Sequence, residues 1–276
     1  MRVRELFRKF FADRGTHLAA MIAYFALLSF VPLLFLALAL LGLFGRADES
    51  SFLVTELNKT FPETSVDSIV RVVEQIQDNA TALGIVGGVF VLWGSLSLFS
   101  VLESAFNVVY GKPNRSFFHG KALALLFLVG SLITLFIGLL IGSVGVAVLE
   151  RFAGDVFGNS YVALVLTIVI STLFVFVFLF SVYYLLTNEK LTVREVLPGA
   201  IVATVALEAS FQILPLYLWL SKDVIALQAF GAPAILLVWL YLISNVIVFG
   251  AEVNWWLARG RRQAVEVEVE EAPGLA

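Results

Sequence analysis

The stretch LAAMIAYFALLSFVPLLFLALALLGLF, residues 18–44, decides the fold. It carries no charged side chain from end to end. A helix rises 1.5 Å per residue, so about 20 apolar residues cross the roughly 30 Å hydrocarbon layer of a bilayer. Nothing in oil can pair with an exposed backbone amide, so such a run must satisfy its own hydrogen bonds as a helix. Working outward, residues 81–110, 122–149, 161–187, 196–220 and 232–258 repeat the pattern. The run from Phe174 to Phe180 alternates like a strand, but both alternating sets are apolar. It reads as a lipid-facing stretch of helix.

Composition agrees with these spans. The chain has 276 residues, 60% hydrophobic and 14% charged, with mean hydropathy +0.96. A soluble domain is about 25% charged, because its outside must be polar. The absence of cysteine excludes disulfides, thiolate metal sites and a Cys nucleophile. Net charge is −3, so no general basic field invites nucleic acid. The sequence therefore predicts an all-α polytopic membrane protein with six transmembrane helices.

The segments between the spans refine this plan. Residues 1–17 form a basic amphipathic interfacial helix, with Val3, Leu6, Phe7, Phe10 and Phe11 on one face and Arg2, Arg4, Arg8 and Lys9 elsewhere. In the 45–80 segment, Val66, Ile69, Val70, Val73 and Ile76 recur at helical spacing opposite Asp67, Arg71, Glu74 and Asp78, which predicts a short amphipathic helix. Residues 18–260 form a single domain, and 261–276 an acidic tail with no assigned structure. Thirteen of the 18 Lys and Arg residues fall in 1–17, 111–121, 188–195 and 259–262. Positive charge stays inside, so both termini are expected in the cytoplasm, with the chain in a bacterial inner membrane. An even number of spans requires the termini to share a side, so the two readings agree.

Three acids lie inside spans: Glu103, Glu208 and Glu252. A carboxylate at mid-bilayer costs about 2.5–3.5 kcal/mol on insertion scales. No Lys or Arg lies deep in a span to offset that cost. The acids must take up a proton, or face a wet cavity or a bound cation. Ser100 and Asn107 share a helix face with Glu103, Gln212 with Glu208, and Asn245 with Glu252; Asn254 follows two residues later. These residues outline a candidate polar cavity or substrate site. Interhelical hydrogen bonding, worth about 0.6 kcal/mol per contact, is the plainer explanation for any one of them. Pro32 and Pro215 are expected to break their helices, freeing the carbonyls of Leu28 and Phe211, as in transporter binding sites. Lys112, Arg115 and Lys121 are candidate contacts for phosphate headgroups, though sidedness alone also accounts for them. Gly84 with Gly88, and Gly138 with Gly142, suggest close helix packing. With two histidines on separate segments, no metal site or cofactor is expected.

The stretch Ala19-Ala20-Met21-Ile22-Ala23-Tyr24-Phe25-Ala26-Leu27-Leu28-Ser29-Phe30-Val31-Pro32-Leu33 resembles the opening of the YihY/BrkB family of bacterial inner-membrane proteins. So do Trp93, Leu102, Glu103, Ala105, Asn107 and Tyr110 in the second span. Leu197-Pro198-Gly199-Ala200 and Gly250-Ala251-Glu252-Val253-Asn254 continue the likeness, in order, over about residues 5–260. The resemblance implies an envelope protein of a family linked to serum resistance and to moving lipid-linked precursors. Its old ribonuclease label finds no support in short, acidic soluble segments. The expected function is a transporter or flippase-like handler of lipids or lipid-linked envelope precursors. Its partners would be membrane lipids, with a second copy or an envelope protein also open, and no nucleic acid. A noncatalytic scaffold of an envelope complex and an intramembrane enzyme using the carboxylates as acid and base are the alternatives.

Overall fold

The computed structural model describes residues 3–43, 80–140, 160–221 and 232–271, with the short turns at 111–116 and 187–192 included. Among them all regular structure is helical: α1 (Val3–Ala12), α2 (Gly15–Leu43), α3 (Ala80–Tyr110), α4 (Phe117–Leu140), α5 (Ser160–Leu186), α6 (Val193–Ser221) and α7 (Ala232–Glu271). A helix stands at each apolar run, and the Phe174–Phe180 stretch is helical. Leu92–Tyr110, Val193–Leu214 and Pro233–Gly260 are long and apolar enough to cross a membrane, and shorter apolar stretches lie at Gly15–Phe30, Phe117–Ser131 and Thr172–Leu186. The amphipathic pattern within 45–80, and Gly142, lie outside the described residues.

Helix α7 is the hub, packing most extensively on α6 and α2, while α2 also packs on α3. Small side chains let these helices approach: Ala19, Ala105, Ala200, Ala203 and Ala251 are all buried. Larger apolar groups fill the remaining space, among them Phe106, Leu128, Leu179 and Val248. The outside is apolar too. Leu126 is 61% exposed and Val205 63%, an outer surface suited to lipid rather than water.

The two prolines and the tail depart from expectation. Helix α2 runs through Pro32 and α6 through Pro215, so neither proline ends its helix. Each has a full turn on both sides, and neighbouring hydrogen bonds carry the helix past a missing donor. Helix α7 also continues to Glu271, through most of the tail expected to lack structure. Its nucleus is already formed, so each added residue needs only one more bond, and Ala and Glu are good helix formers.

At the start of α6, the Glu195 carboxylate accepts from Thr192 N at 2.8 Å and from Thr192 Oγ1 at 3.1 Å. This is a capping box: the acid three residues inward satisfies an amide that the helix cannot. We expect Glu195→Ala to cost about 1 kcal/mol, read as a lowered unfolding midpoint in detergent.

Candidate functional site

The sequence-selected polar residues do not form one cavity. They separate into two ion-paired clusters at one end of the bundle, an interhelical contact, and an acid midway along α6.

The first cluster surrounds Glu103. After α3 the chain turns at Gly111 and returns as α4, and the turn between them carries Arg115 back over the end of α3. Glu103 is buried, and its Oε1 accepts from Arg115 N at 3.3 Å and from Arg115 Nη1 at 3.2 Å. The same guanidinium donates to the carbonyls of Leu185, Leu186 and Thr187 at 3.0, 2.6 and 2.9 Å. Those carbonyls end α5, where a helix lacks internal donors and its dipole favours a cation. Asn107 Oδ1 accepts from Asn188 N at 2.7 Å, and Asn107 Nδ2 donates to Asn114 Oδ1 at 3.0 Å. Asn188 Nδ2 donates in turn to Pro113 O at 2.9 Å. Thus α3, the α3–α4 turn and the end of α5 are tied together by one network.

The second cluster surrounds Glu252. Its side chain is fully buried in α7, and Lys9 Nζ lies 2.9 Å from Oε2. Lys9 also pairs with Asp13, donates to Val109 O at 2.8 Å, and sits 4.1 Å from the Trp255 ring centre. Leu6 and Phe10 bury the same side of α1, while Phe7 and Phe11 are 50% and 65% exposed. The sequence places Lys9 with the other outward charges of α1. It turns inward instead, because Leu6, Lys9, Phe10 and Asp13 form one stripe at helical spacing.

These pairs correct the expectation that the intramembrane acids lack cationic partners. Lys9 and Arg115 belong to the terminal helix and a turn, so the cations come from outside the spans. The proposed headgroup contacts are likewise engaged within the protein. Arg115 is bound as described, Lys112 pairs with Glu189, and Lys121 donates to Ser100 Oγ at 3.0 Å.

Asn254 is fully buried, and its Oδ1 accepts from Gly199 N at 2.6 Å. Pro198 withholds its own donor just before this amide, and Gly199 bonds across to α7. The Tyr183 hydroxyl donates to Ile247 O at 2.7 Å, joining α5 to the same helix. Sequence reasoning alone does not single out Gly199, Gly250 or Tyr183 as contact residues. The spacing of small residues Gly199 and Ala203 is the available signal.

Glu208 differs from the other two acids. It is partly buried in the middle of α6, and its Oε1 is enclosed without a hydrogen-bond partner among the described residues. Gln212 is exposed, and Asn245 Nδ2 donates to Tyr241 O within its own helix at 2.7 Å. Neither bonds to Glu208. Among the described residues no group of three acids or histidines comes together as metal ligands.

Comparison with known proteins places these features in a lineage. Residues 6–273 match the model of the family described as virulence factor BrkB. The ribonuclease-like protein YfkH of Bacillus subtilis (strain 168), so named putatively, is 25% identical over 94% of this chain and 96% of its own length. A UPF0761 membrane protein of Chromohalobacter salexigens is 26% identical over 94% of this chain, which spans 64% of that relative. A UPF0761 membrane protein of Coxiella burnetii (strain Dugway 5J108-111) is 25% identical over 92% of both chains. No solved structure matches.

Proposed function

The chain belongs to the virulence factor BrkB family of membrane proteins, and from that premise we propose that it moves lipids or lipid-linked envelope precursors across a bacterial inner membrane. In this reading six helices cross the bilayer and both termini are cytoplasmic. The clustering of α1, the α3–α4 turn, the α5–α6 turn and the basic stretch of α7 at one end of the bundle supports that sidedness, because Lys and Arg are retained inside.

The observation that carries the reading is Glu208. A carboxylate halfway along an apolar helix is costly, and this one has no cationic partner among the described residues. An acid kept in such a place favours a polar path or a bound polar group over packing alone. Membrane lipids are the partners this reading requires. The ribonuclease-like name of YfkH is not carried over, and the reading is non-enzymatic.

Reconstitution of the full chain into vesicles holding a fluorescent phospholipid tests this. Dithionite bleaches label on the outer leaflet, so transbilayer movement appears as extra bleaching. The native protein should raise the rate well above empty vesicles, and Glu208→Gln should lower it by about tenfold, the scale of a lost charge-assisted contact. No movement with the native protein defeats the transport reading. Equal rates for both proteins remove Glu208 from it.

A scaffold reading draws on a different observation. Glu103 and Glu252 are both engaged in tying helix ends together, as a structural part would be. A scaffold would give native vesicles no faster than empty ones.

A further inference from the structure

Between α1 and the 255–259 stretch of α7 lies a cavity of about 530 Å³. Its charged and aromatic lining comprises Glu5, Arg8, Lys9, Trp255, Trp256 and Arg259. Small-molecule sites generally run from about 300 to 1,000 Å³, so the space suits a compact ligand. We propose that this cavity binds a phosphate-bearing anion, carried on a lipid headgroup or free in solution.

The argument rests on which charges are already engaged. Lys9 is held by Glu252 and Asp13, so it brings little net charge to the cavity. Arg8 makes no hydrogen bond or ion pair among the described residues, although Glu5 lines the same space. Arg259 lies 5.2 Å from the Trp255 ring centre and makes no ion pair among the described residues. Two guanidinium groups, one from each of the helices that bound the cavity, thus keep their donor forks unused. A planar fork of donors matches the oxygens of a phosphate better than a point charge does. The Trp255 ring beside it restricts the Arg259 side chain, which reduces the ordering cost of binding. Trp256 has an indole Nε1–H without an acceptor among the described residues. Tryptophan and arginine are also side chains that membrane proteins place at the level of the lipid headgroups. The basic α3–α4 turn plays no part here, since Lys112, Arg115 and Lys121 have partners elsewhere.

The site stands apart from the transport reading, because a protein that moves nothing could still hold this group. Its test is therefore a binding measurement. The full chain in mild neutral detergent is incubated with phosphatidylglycerol or phosphatidylcholine, and bound lipid is counted by native mass spectrometry. Inorganic phosphate alone is added in a second arm, read by tryptophan fluorescence. Arg8 and Arg259 are exposed, so replacing them leaves the packing intact. The paired variant Arg8→Gln/Arg259→Gln should lose about tenfold or more of the native affinity, as expected for two lost charge-assisted bonds. Arg4→Gln, on the same helix but outside the cavity, should retain it. Phosphatidylglycerol bound selectively over phosphatidylcholine, with phosphate alone inert, assigns the site to a headgroup. Phosphate shifting the fluorescence by itself, and failing to do so in the paired variant, assigns it to the free anion. Equal binding by the native and paired-variant proteins in both arms overturns the proposal. A loss in Arg4→Gln as large as in the paired variant also overturns it, since that marks a general basic field.

Discussion

Lys9→Met should destabilise the protein by about 3–5 kcal/mol, because it strands a buried carboxylate without its cation. Glu252 is fully buried and Lys9 lies 2.9 Å from it. The surrounding groups offer no substitute: Asp13 has the wrong sign, and Val109 contributes only an acceptor. In scanning fluorimetry the unfolding midpoint should fall by on the order of 10 °C. Hydrogen exchange should rise across α1, which loses its anchor to α7. A second variant separates charge from packing. In Lys9→Met/Glu252→Leu both charges are gone, and replacing a buried pair by apolar groups is often close to neutral. The double variant should recover most of the lost midpoint. If Lys9→Met melts within about a degree of the native protein, the pair contributes nothing, and α1 is held by its apolar contacts, Leu6, Phe7 and Phe10 among them.

Gly199→Ala is the second large effect, with an expected loss of about 2–4 kcal/mol. A Cβ at Gly199 would overlap the carbonyl oxygen of Gly250 and the side chain of Asn254. One obstacle is backbone and cannot swing aside, so α6 and α7 must move apart. Overpacking costs about 1–3 kcal/mol, and losing the Gly199–Asn254 hydrogen bond adds about 1 kcal/mol. The reciprocal position is equally tight: a Cβ at Gly250 would lie 2.9 Å from Ala203 Cβ and 3.0 Å from Gly199 O. Gly130→Ala provides the opposite sign. Nothing stands within 4 Å of a Cβ there, and alanine favours a helix over glycine by about 1 kcal/mol. One methyl group should therefore lower the midpoint at 199 and leave or raise it at 130. Equal effects at the two sites would show that α6 and α7 are not in close contact at Gly199.

The helices are legible because the bilayer imposes a length. An uncharged run such as 18–44 has no other stable use for its backbone. The sidedness clue is similar in kind, since Lys and Arg positions are read one at a time. The ion pairs are hidden for a physical reason: each couples segments that only the assembled bundle brings together. Arg115 follows a turn, and nothing local shows that it reaches the carbonyls ending α5. Lys9 is more accessible. Standing three residues after Leu6 and one before Phe10, it belongs to the buried stripe once a charge is admitted there. Pro32 and Pro215 mislead because a missing donor does not by itself end a helix. Glu208 stands as an acid without a cation among the described residues, while the same reasoning fails for Glu103 and Glu252.

Lys9 is made long before Glu252. The carboxylate that anchors α1 does not exist until α7 has left the ribosome. Until then the ammonium has Asp13 and the end of α3 as its partners. Locking of this end therefore waits until α7 has been made. A nascent chain halted before α7 holds α1 against α2 and the end of α3 without its Glu252 anchor, which distinguishes it from a chain that has reached α7.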